Sequence, residues 1–184
     1  NELKEVVDEL YVDDAADLVE EMPANVVQRI LRQATPEMRS SINQILRYPE
    51  NSAGSIMTTE YVSLRPDMSV GESILRIRRQ GVDKETIYTC YITERRKLVG
   101  IVSAKDLMTT DDDVPIKDLM ETEIISVYTH SDQEQVAQLF TKYDLLALPV
   151  IDQDGRMVGI VTFDDAMDVM VCLLYTSDAA DDLT

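Results

Sequence analysis

The 184-residue sequence is poor in residues on which many catalytic sites depend. It has no tryptophan, one histidine and two cysteines, and it contains neither a G-x-x-x-x-G-K-S/T loop nor a G-x-G-x-x-G motif. His130 lies at a predicted strand-to-helix turn without a serine or cysteine partner, and Cys90 lies in an apolar strand, where a thiol is buried and inert. We therefore expect no catalytic residue, and two cysteines without a disulfide framework indicate a reducing compartment.

Basic residues are also scarce. Seventeen lysines and arginines face 35 aspartates and glutamates, which gives a formal net charge of -18. Phosphate backbones and anionic membrane surfaces attract surplus positive charge, so we expect no nucleic-acid partner and no binding to an anionic bilayer. A cation is the natural counterpart. No apolar run approaches the roughly 20 residues of a membrane span, and we identify no signal peptide.

The last residues do not continue the pattern before them. Residues 172–184 resemble the translated read-through of a sequencing-library adapter, so we expect this segment to be non-native and the natural chain to continue beyond Val171. The alternative is a native carboxy-terminal tail. Without Asp178, Asp181 and Asp182 the acids still outnumber the 17 bases.

Residues 1–49 are predicted to form short helices. Asp13 or Asp14 can cap a helix with an apolar stripe at helical spacing, and Met22-Pro23 ends it. Thr35-Pro36 is an N-cap followed by proline at the first helical position. Such short helices cannot bury their apolar stripes alone, so they indicate the end of a helical solenoid.

An internal repeat begins near residue 55. Ser55-Ile56-Met57-Thr58 is echoed 63 residues later by Asp118-Leu119-Met120-Glu121, and Val99-Gly100-Ile101-Val102-Ser103 is echoed 59 residues later by Val158-Gly159-Ile160-Val161-Thr162. The first copy therefore carries about four extra residues, which we place near Gly81–Lys84. Each copy is predicted as strand, helix, strand, strand, helix.

In the second copy the strands are predicted at Ile124–Val127, Ala147–Ile151 and Met157–Thr162. The turn Asp152-Gln153-Asp154-Gly155 joins the last two strands, and its glycine can adopt a positive φ. The predicted fold class is α+β. The predicted domains are residues 1–49, 50–111 and 112–171, followed by the segment 172–184.

The doubled Val-Gly-Ile-Val-Ser/Thr-x-x-Asp pattern, which closes each copy, resembles a tandem CBS (cystathionine-β-synthase) domain pair. The preceding segments Glu9–Leu18 and Ser52–Val62 extend the resemblance to the intracellular part of MgtE-type bacterial magnesium transporters, over residues 1–171. This resemblance implies a short helical superhelix followed by the CBS pair, at the cytoplasmic face of the cell membrane. It also implies a homodimer, and a transmembrane pore of the same full-length chain that is absent from these residues.

Asp13 and Asp17 are four residues apart and share one helix face. From spacing alone this face is either a solvated surface or half of a divalent-cation site. Magnesium prefers carboxylate oxygens and is typically held by one or two carboxylates with several waters. The resemblance implies that both residues bind Mg²⁺ between the helical and CBS domains.

Similar alternatives exist within the repeats. Ser131-x-x-Glu134 is predicted as a capping box, which would explain the acids there by helix stability alone. The acids that open the last helix can likewise complement its dipole. The resemblance instead implies Mg²⁺ contacts, through the main chain for the two hydroxyl residues and least strongly for Asp168. These implied metal positions are Ser55, Asp132, Glu134, Thr141, Asp144, Asp165 and Asp168.

The alternative function is the binding of ATP or AMP between the repeats, as CBS pairs often do. The resemblance implies that Asp106, with Ser103, holds ribose hydroxyls and that Lys105 meets phosphate. Thr89 and Leu145 stand where aromatic rings would stack on adenine, which removes about 1–3 kcal/mol of stacking. A structural interpretation remains open in which Asp106 is only a helix N-cap.

Overall fold

The computed structural model describes residues 35–36 and 47–181, with side chains described up to residue 175. The helices predicted between residues 13 and 34, and most of the third helix, lie outside the described residues. The first copy of the repeat begins with the short helix α1. Its elements are α1 (Ala53–Ile56), β1 (Tyr61–Leu64), α2 (Val70–Gln80), a 3-10 turn (Gly81–Asp83), β2 (Thr86–Glu94), β3 (Lys97–Ser103) and α3 (Ala104–Thr109).

The second copy repeats this order and begins with the short helix α4. Its elements are α4 (Ile116–Leu119), β4 (Val127–Tyr128), α5 (Gln133–Tyr143), β5 (Ala147–Ile151), β6 (Met157–Thr162) and α6 (Phe163–Asp181). The strand-helix-strand-strand-helix prediction is therefore confirmed in both copies. The 3-10 turn accounts for the extra residues that we predicted near Gly81–Lys84. Helix α6 continues beyond Val171 to Asp181, within the segment 172–184. That this segment is non-native stays a prediction.

One strand prediction is wrong. The expected strand at Ile124–Val127 is replaced by β4 at Val127–Tyr128, because only these two residues pair with β5, at Val150 and Ile151. The other two strands of the second copy match their predicted bounds. The apolar pattern of the sequence was enough to locate the strands that pair along their whole length. The bounds of β4 depend instead on its pairing with β5, which is distant in sequence.

Each copy forms a three-stranded sheet with the middle strand supplied by the hairpin. In both sheets the first strand pairs parallel with the second and the second pairs antiparallel with the third. The second hairpin turns at Gly155, whose φ of 76° confirms the predicted use of glycine. The first hairpin turns at Arg95 and Arg96, with φ of 50° and 70°, conformations that residues with a side chain rarely adopt.

The two copies exchange short segments. Ala53 and Met57 lie at the start of the first copy but are buried in the core of the second, whereas Ile116 lies in the core of the first with Met120 packed against it. Paired backbone hydrogen bonds hold each exchanged segment, between Thr58 and Ile160 at 2.8 and 2.9 Å and between Ile101 and Glu121 at 2.9 Å. Each core is therefore completed by residues from the other side of the repeat boundary.

A third apolar cluster joins the copies. Tyr91 from β2 packs with Met157 and Ile160 from β6, and all three are buried. Tyr61 contacts Tyr91 edge-to-face with ring centroids 5.8 Å apart, an arrangement that aromatic rings favour. The cluster fixes the two sheets against each other.

Helix caps define where α2 and α5 begin. Ser69 and Glu72 form a reciprocal capping box at α2. The corresponding prediction for Ser131 and Glu134 is wrong. Asp132 is the N-cap of α5 and accepts from the backbone N–H of Glu134 at 2.8 Å, while the Ser131 hydroxyl accepts from Tyr128 N at 3.1 Å. The aspartate carboxylate takes the cap because the turn places it one residue closer to the helix.

In the stretch that the structure describes, we find no helix with both the length and the apolar character needed to cross a membrane.

Candidate metal and nucleotide sites

The start of α5 brings several predicted metal positions together. Ala53 N donates to Ser131 O at 2.8 Å, and Ser52 pairs with Asp132, so α1 lies against the turn that precedes α5. Ser55 therefore lies near this turn, with its hydroxyl donating to Ser52 O at 2.7 Å. One oxygen of Asp132 caps the helix, and Glu134 is exposed. This end of α5 presents two carboxylates at a helix N-terminus.

Asp144 lies at the other end of the same helix. It is the C-cap of α5 in a left-handed conformation, with φ of 51°. Because α5 has 11 residues, its ends are about 16 Å apart, and Asp144 cannot share an ion with Asp132 in the same copy of the chain. Thr141 is exposed on the last turns, with its hydroxyl 3.6 Å from the Met170 sulfur. The structure therefore separates the predicted metal positions of α5 into two places.

Helix α6 carries the remaining predicted metal positions. The Thr162 hydroxyl donates to Asp165 Oδ2 at 2.8 Å, and Asp165 is half-buried. Asp168 is exposed one turn later. Asp165 is therefore held in place by the strand end before it.

No three histidine, cysteine, aspartate or glutamate side chains come close enough to hold a metal together within residues 47–175. Asp13 and Asp17 lie outside the described residues, so their predicted metal role remains a prediction. Within the described part of the chain, no ion pair involves Asp132, Glu134, Asp144 or Asp168. Their carboxylates are not neutralised by a described basic residue.

The predicted ribose position is formed at the end of β3. The Ser103 hydroxyl donates to Asp106 Oδ2 at 2.6 Å and accepts from Asp106 N at 3.0 Å. Ser103, not Asp106, is the N-cap of α3, so the interpretation of Asp106 as the cap residue is wrong. Thr89 lies directly across from Ser103 in the sheet, and Lys105 is exposed on the first turn. The structure thus brings four of the five predicted nucleotide positions together.

Leu145, the fifth, packs against the core of the second copy, and its part in the nucleotide site stays a prediction. In the second copy the equivalent hydrogen bond is present, because the Thr162 hydroxyl donates to Asp165 as the Ser103 hydroxyl donates to Asp106. No site role was predicted for Thr162 from the sequence, although the 59-residue offset of the repeat makes it the equivalent of Ser103. Tyr88 precedes Thr89 in β2 and is 68% exposed.

The buried thiol and the single histidine offer no nucleophile pair. Burial raises the pKa of Cys90 to about 12, which keeps this thiol protonated and unreactive at neutral pH. His130 Nδ1 is 3.0 Å from the Thr129 hydroxyl, and its ring meets Tyr48 edge-on with ring centroids 6.0 Å apart. These contacts fix the turn before α5.

Comparison with known families assigns both parts of the chain. Residues 1–51 match the MgtE intracellular N domain, and residues 53–112 and 116–172 each match the CBS domain. The first match falls mostly on residues outside the described part. The two CBS matches coincide with the two copies of the repeat, each a three-stranded sheet with its helices.

Two magnesium transporters named MgtE are similar in sequence. The protein from Thermus thermophilus is 40% identical over 164 residues, and that from Enterococcus faecalis is 42% identical over 135 residues. These matches cover 86% and 73% of this chain but 36% and 30% of the relatives, so the chain spans about a third of their length.

A solved structure has the same fold. The cytosolic domain of the Mg²⁺ channel MgtE, in complex with ATP, is 40% identical to this chain and superimposes with a TM-score of 0.87. The match covers 91% of this chain and 69% of that chain.

Proposed function

The chain belongs to the CBS domain family, with an MgtE intracellular N domain ahead of two CBS repeats, and from that premise we propose that it senses Mg²⁺ and regulates a magnesium transporter. The sequence identity to named magnesium transporters carries this proposal. In the intact protein the chain would act at the cytoplasmic face of the membrane, as a homodimer through its CBS repeats. It would bias a transmembrane pore of the same chain toward closure when Mg²⁺ is plentiful.

The acidic side chains supply ligands of the kind that Mg²⁺ prefers. Asp132 and Glu134 at the start of α5 offer carboxylate oxygens on one surface, and Asp144, Asp165 and Asp168 offer further ones. Mg²⁺ usually keeps several waters and takes only one or two protein carboxylates, so such sparse positions suit it. We place the remaining ligands on Asp13 and Asp17 of the amino-terminal segment.

Charge repulsion provides the mechanism. Two carboxylates about 6 Å apart in a partly desolvated interface repel each other by a few kcal/mol at an effective dielectric constant near 20. An acidic amino-terminal segment and an acidic CBS pair therefore separate when cations are scarce, and bound Mg²⁺ holds them together.

Several weak sites give a steeper response than one. At about ten times its Kd, one site contributes about 1.4 kcal/mol, whereas moving an equilibrium from 1:99 to 99:1 takes about 5.5 kcal/mol. About four sites are therefore enough. The two ends of α5, the start of α6 and the pair Asp13/Asp17 are the positions that we propose.

Small-angle scattering during a Mg²⁺ titration tests the proposal. We expect the radius of gyration to fall as Mg²⁺ rises from a chelated start, and we expect Asp13→Asn/Asp17→Asn to abolish most of this compaction. The charge-matched control is Asp113→Asn/Glu123→Gln, which removes two exposed acids elsewhere and should compact like the wild type. Identical dimensions with chelator and with Mg²⁺, in the wild-type protein, would rule the proposal out.

Adenine-nucleotide binding is a second candidate function, favoured by the preformed Ser103–Asp106 hydrogen bond and by the ATP complex of the similar MgtE domain. We expect ATP and AMP to give measurable heats of binding by calorimetry. Asp106→Asn should weaken binding by about tenfold or more, because a charged acceptor for ribose hydroxyls is lost. Asp165→Asn alters the equivalent carboxylate of the second copy and serves as the matched variant. Equal affinity in wild type and Asp106→Asn would contradict this assignment.

A further inference from the structure

A groove beside α2 carries three arginines, although the chain as a whole is strongly acidic. It has a volume of about 350 Å³. Met68 and Leu75 supply its apolar walls, and Glu72 lies at the start of the helix. The arginines that line it are Arg65, Arg76 and Arg79.

The second copy of the repeat provides an internal comparison. At the 63-residue offset, Arg76 corresponds to Leu139, which packs against the core of the second copy. Arg76 is half-buried, and its Nε atom is buried without a hydrogen-bond partner among the residues that the structure describes. A buried donor without an acceptor costs about 1–3 kcal/mol. The fold therefore accepts a leucine at this position, and an arginine there needs another explanation.

The acids around the groove are already engaged. Asp67 pairs with Arg65 at 3.1 Å, and Glu72 accepts from Ser69 N at 2.9 Å in the capping box of α2. Over residues 47–175, neither Arg76 nor Arg79 takes part in an ion pair. The groove thus presents the guanidinium groups of Arg76 and Arg79, which no ion pair neutralises within the described part of the chain.

We propose that this groove binds a phosphate-bearing anion. The planar guanidinium of arginine matches two phosphate oxygens at once, and a buried Nε–H is satisfied by such an acceptor. Met68 and Leu75 can cover the apolar part of the same ligand. The phosphate can come from a free polyphosphate or from a phospholipid headgroup, and the two sources are separated experimentally.

Calorimetry with pyrophosphate in metal-free buffer tests the groove. Arg76→Leu installs the residue of the second copy, so it should leave the melting temperature at or above that of the wild type while weakening pyrophosphate binding by about tenfold or more. Arg79→Gln should weaken binding similarly. Arg78→Gln makes the same charge change one residue away, outside the groove, and should change the affinity by less than about twofold.

Vesicles distinguish the two sources of phosphate. If wild-type protein, but not Arg76→Leu, sediments with phosphatidylglycerol vesicles and not with phosphatidylcholine vesicles, the ligand is a lipid headgroup. Binding of pyrophosphate without binding to either vesicle indicates a free phosphate. The proposal is wrong if the wild type binds neither pyrophosphate at about 10 mM nor the anionic vesicles, or if Arg76→Leu binds as the wild type does. Neither result depends on Mg²⁺ sensing.

Discussion

At the residue scale, Tyr91 combines full burial with an unsatisfied hydroxyl. Its ring is 0% exposed in the cluster between the two copies, and its Oη has no hydrogen-bond partner among the described residues. Burial also raises its pKa above the ordinary tyrosine value, with a smaller contribution from Cys90. The ring stabilises the cluster by apolar packing, while the hydroxyl is desolvated without compensation.

Removing this hydroxyl should therefore stabilise the protein, whereas removing the hydroxyl of a hydrogen-bonded buried tyrosine destabilises it. We expect Tyr91→Phe to keep the packing and raise the free energy of unfolding by about 1 kcal/mol, since the desolvated hydroxyl is removed. Urea denaturation followed by circular dichroism measures this. A loss of 1 kcal/mol or more, typical of a broken hydrogen bond, would show that the hydroxyl is satisfied after all.

Cys90 makes stability depend on alkaline pH. Its pKa of about 12 in the folded state lies above the ordinary 9.0, so the unfolded chain releases this proton first. Stability is at its full value below about pH 9 and falls as the pH rises toward 12, by at most about 1.4 kcal/mol per pH unit from this group. We expect Cys90→Ala to flatten this fall, measured by denaturation at several pH values between 8 and 11. An unchanged slope would contradict it.

Residue-scale features of the candidate sites were the most predictable part of the molecule. The spacing of Ser103 and Asp106 is local, so the sequence was enough to expect them together. Which residue caps each helix was harder, because at α3 and α5 the choice depends on the angle at which the strand or turn enters the helix.

At the scale of elements, the two hairpins are equivalent, but each has a glycine that packs against a different kind of neighbouring atom. Gly100 and Gly159 occupy equivalent positions in β3 and β6. A Cβ at Gly100 would lie 2.5 Å from the Met120 sulfur, the flexible end of a side chain. A Cβ at Gly159 would lie 2.7 Å from the backbone oxygen of Thr58 as well as from the Met57 sulfur.

We therefore expect the two alanine substitutions to differ. Gly159→Ala should cost about 1–3 kcal/mol, because the exchanged segment must shift, whereas Gly100→Ala should cost clearly less, because Met120 can change rotamer. Thermal and urea denaturation of the pair measure the difference. Equal costs would mean that the backbone at Thr58 yields as easily as a methionine side chain.

Strand prediction succeeded where an element carries its own pattern. β5 and β6 are apolar runs bounded by turn residues, and both were placed to the residue. β4 is defined by its pairing with β5 and was misplaced by three residues at its start. The exchange of segments between the copies lay beyond sequence reasoning, because the same apolar residues would suit either core.

At the scale of the whole molecule, the two repeats depend on each other. Met57 is fully buried in the core of the second copy, although it belongs to the first, and Met68 is buried in the core of the first. The two methionines thus lie 11 positions apart in the chain but in different cores.

This arrangement predicts which of the two sheets each core substitution destabilises. Met57→Ala should cost about 2–5 kcal/mol and raise amide hydrogen exchange in β4, β5 and β6 more than in β1, β2 and β3. Met68→Ala is the matched control and should show the opposite distribution. Exchange that rises equally in both sheets would indicate that the cores unfold as one unit.

The anchoring of residues 52–58 also sets a rule for building chimeras. Asn51 marks the end of the segment that matches the MgtE intracellular N domain, and its carbonyl and side-chain oxygens both accept from Gln133 at the start of α5. A foreign amino-terminal module joined at residue 59 would bring unsuited side chains into the hydrophobic interior of the second repeat. One joined ahead of Tyr48, which packs against the same core and meets His130 edge-on, would leave that interior intact, so the workable splice point lies before residue 48.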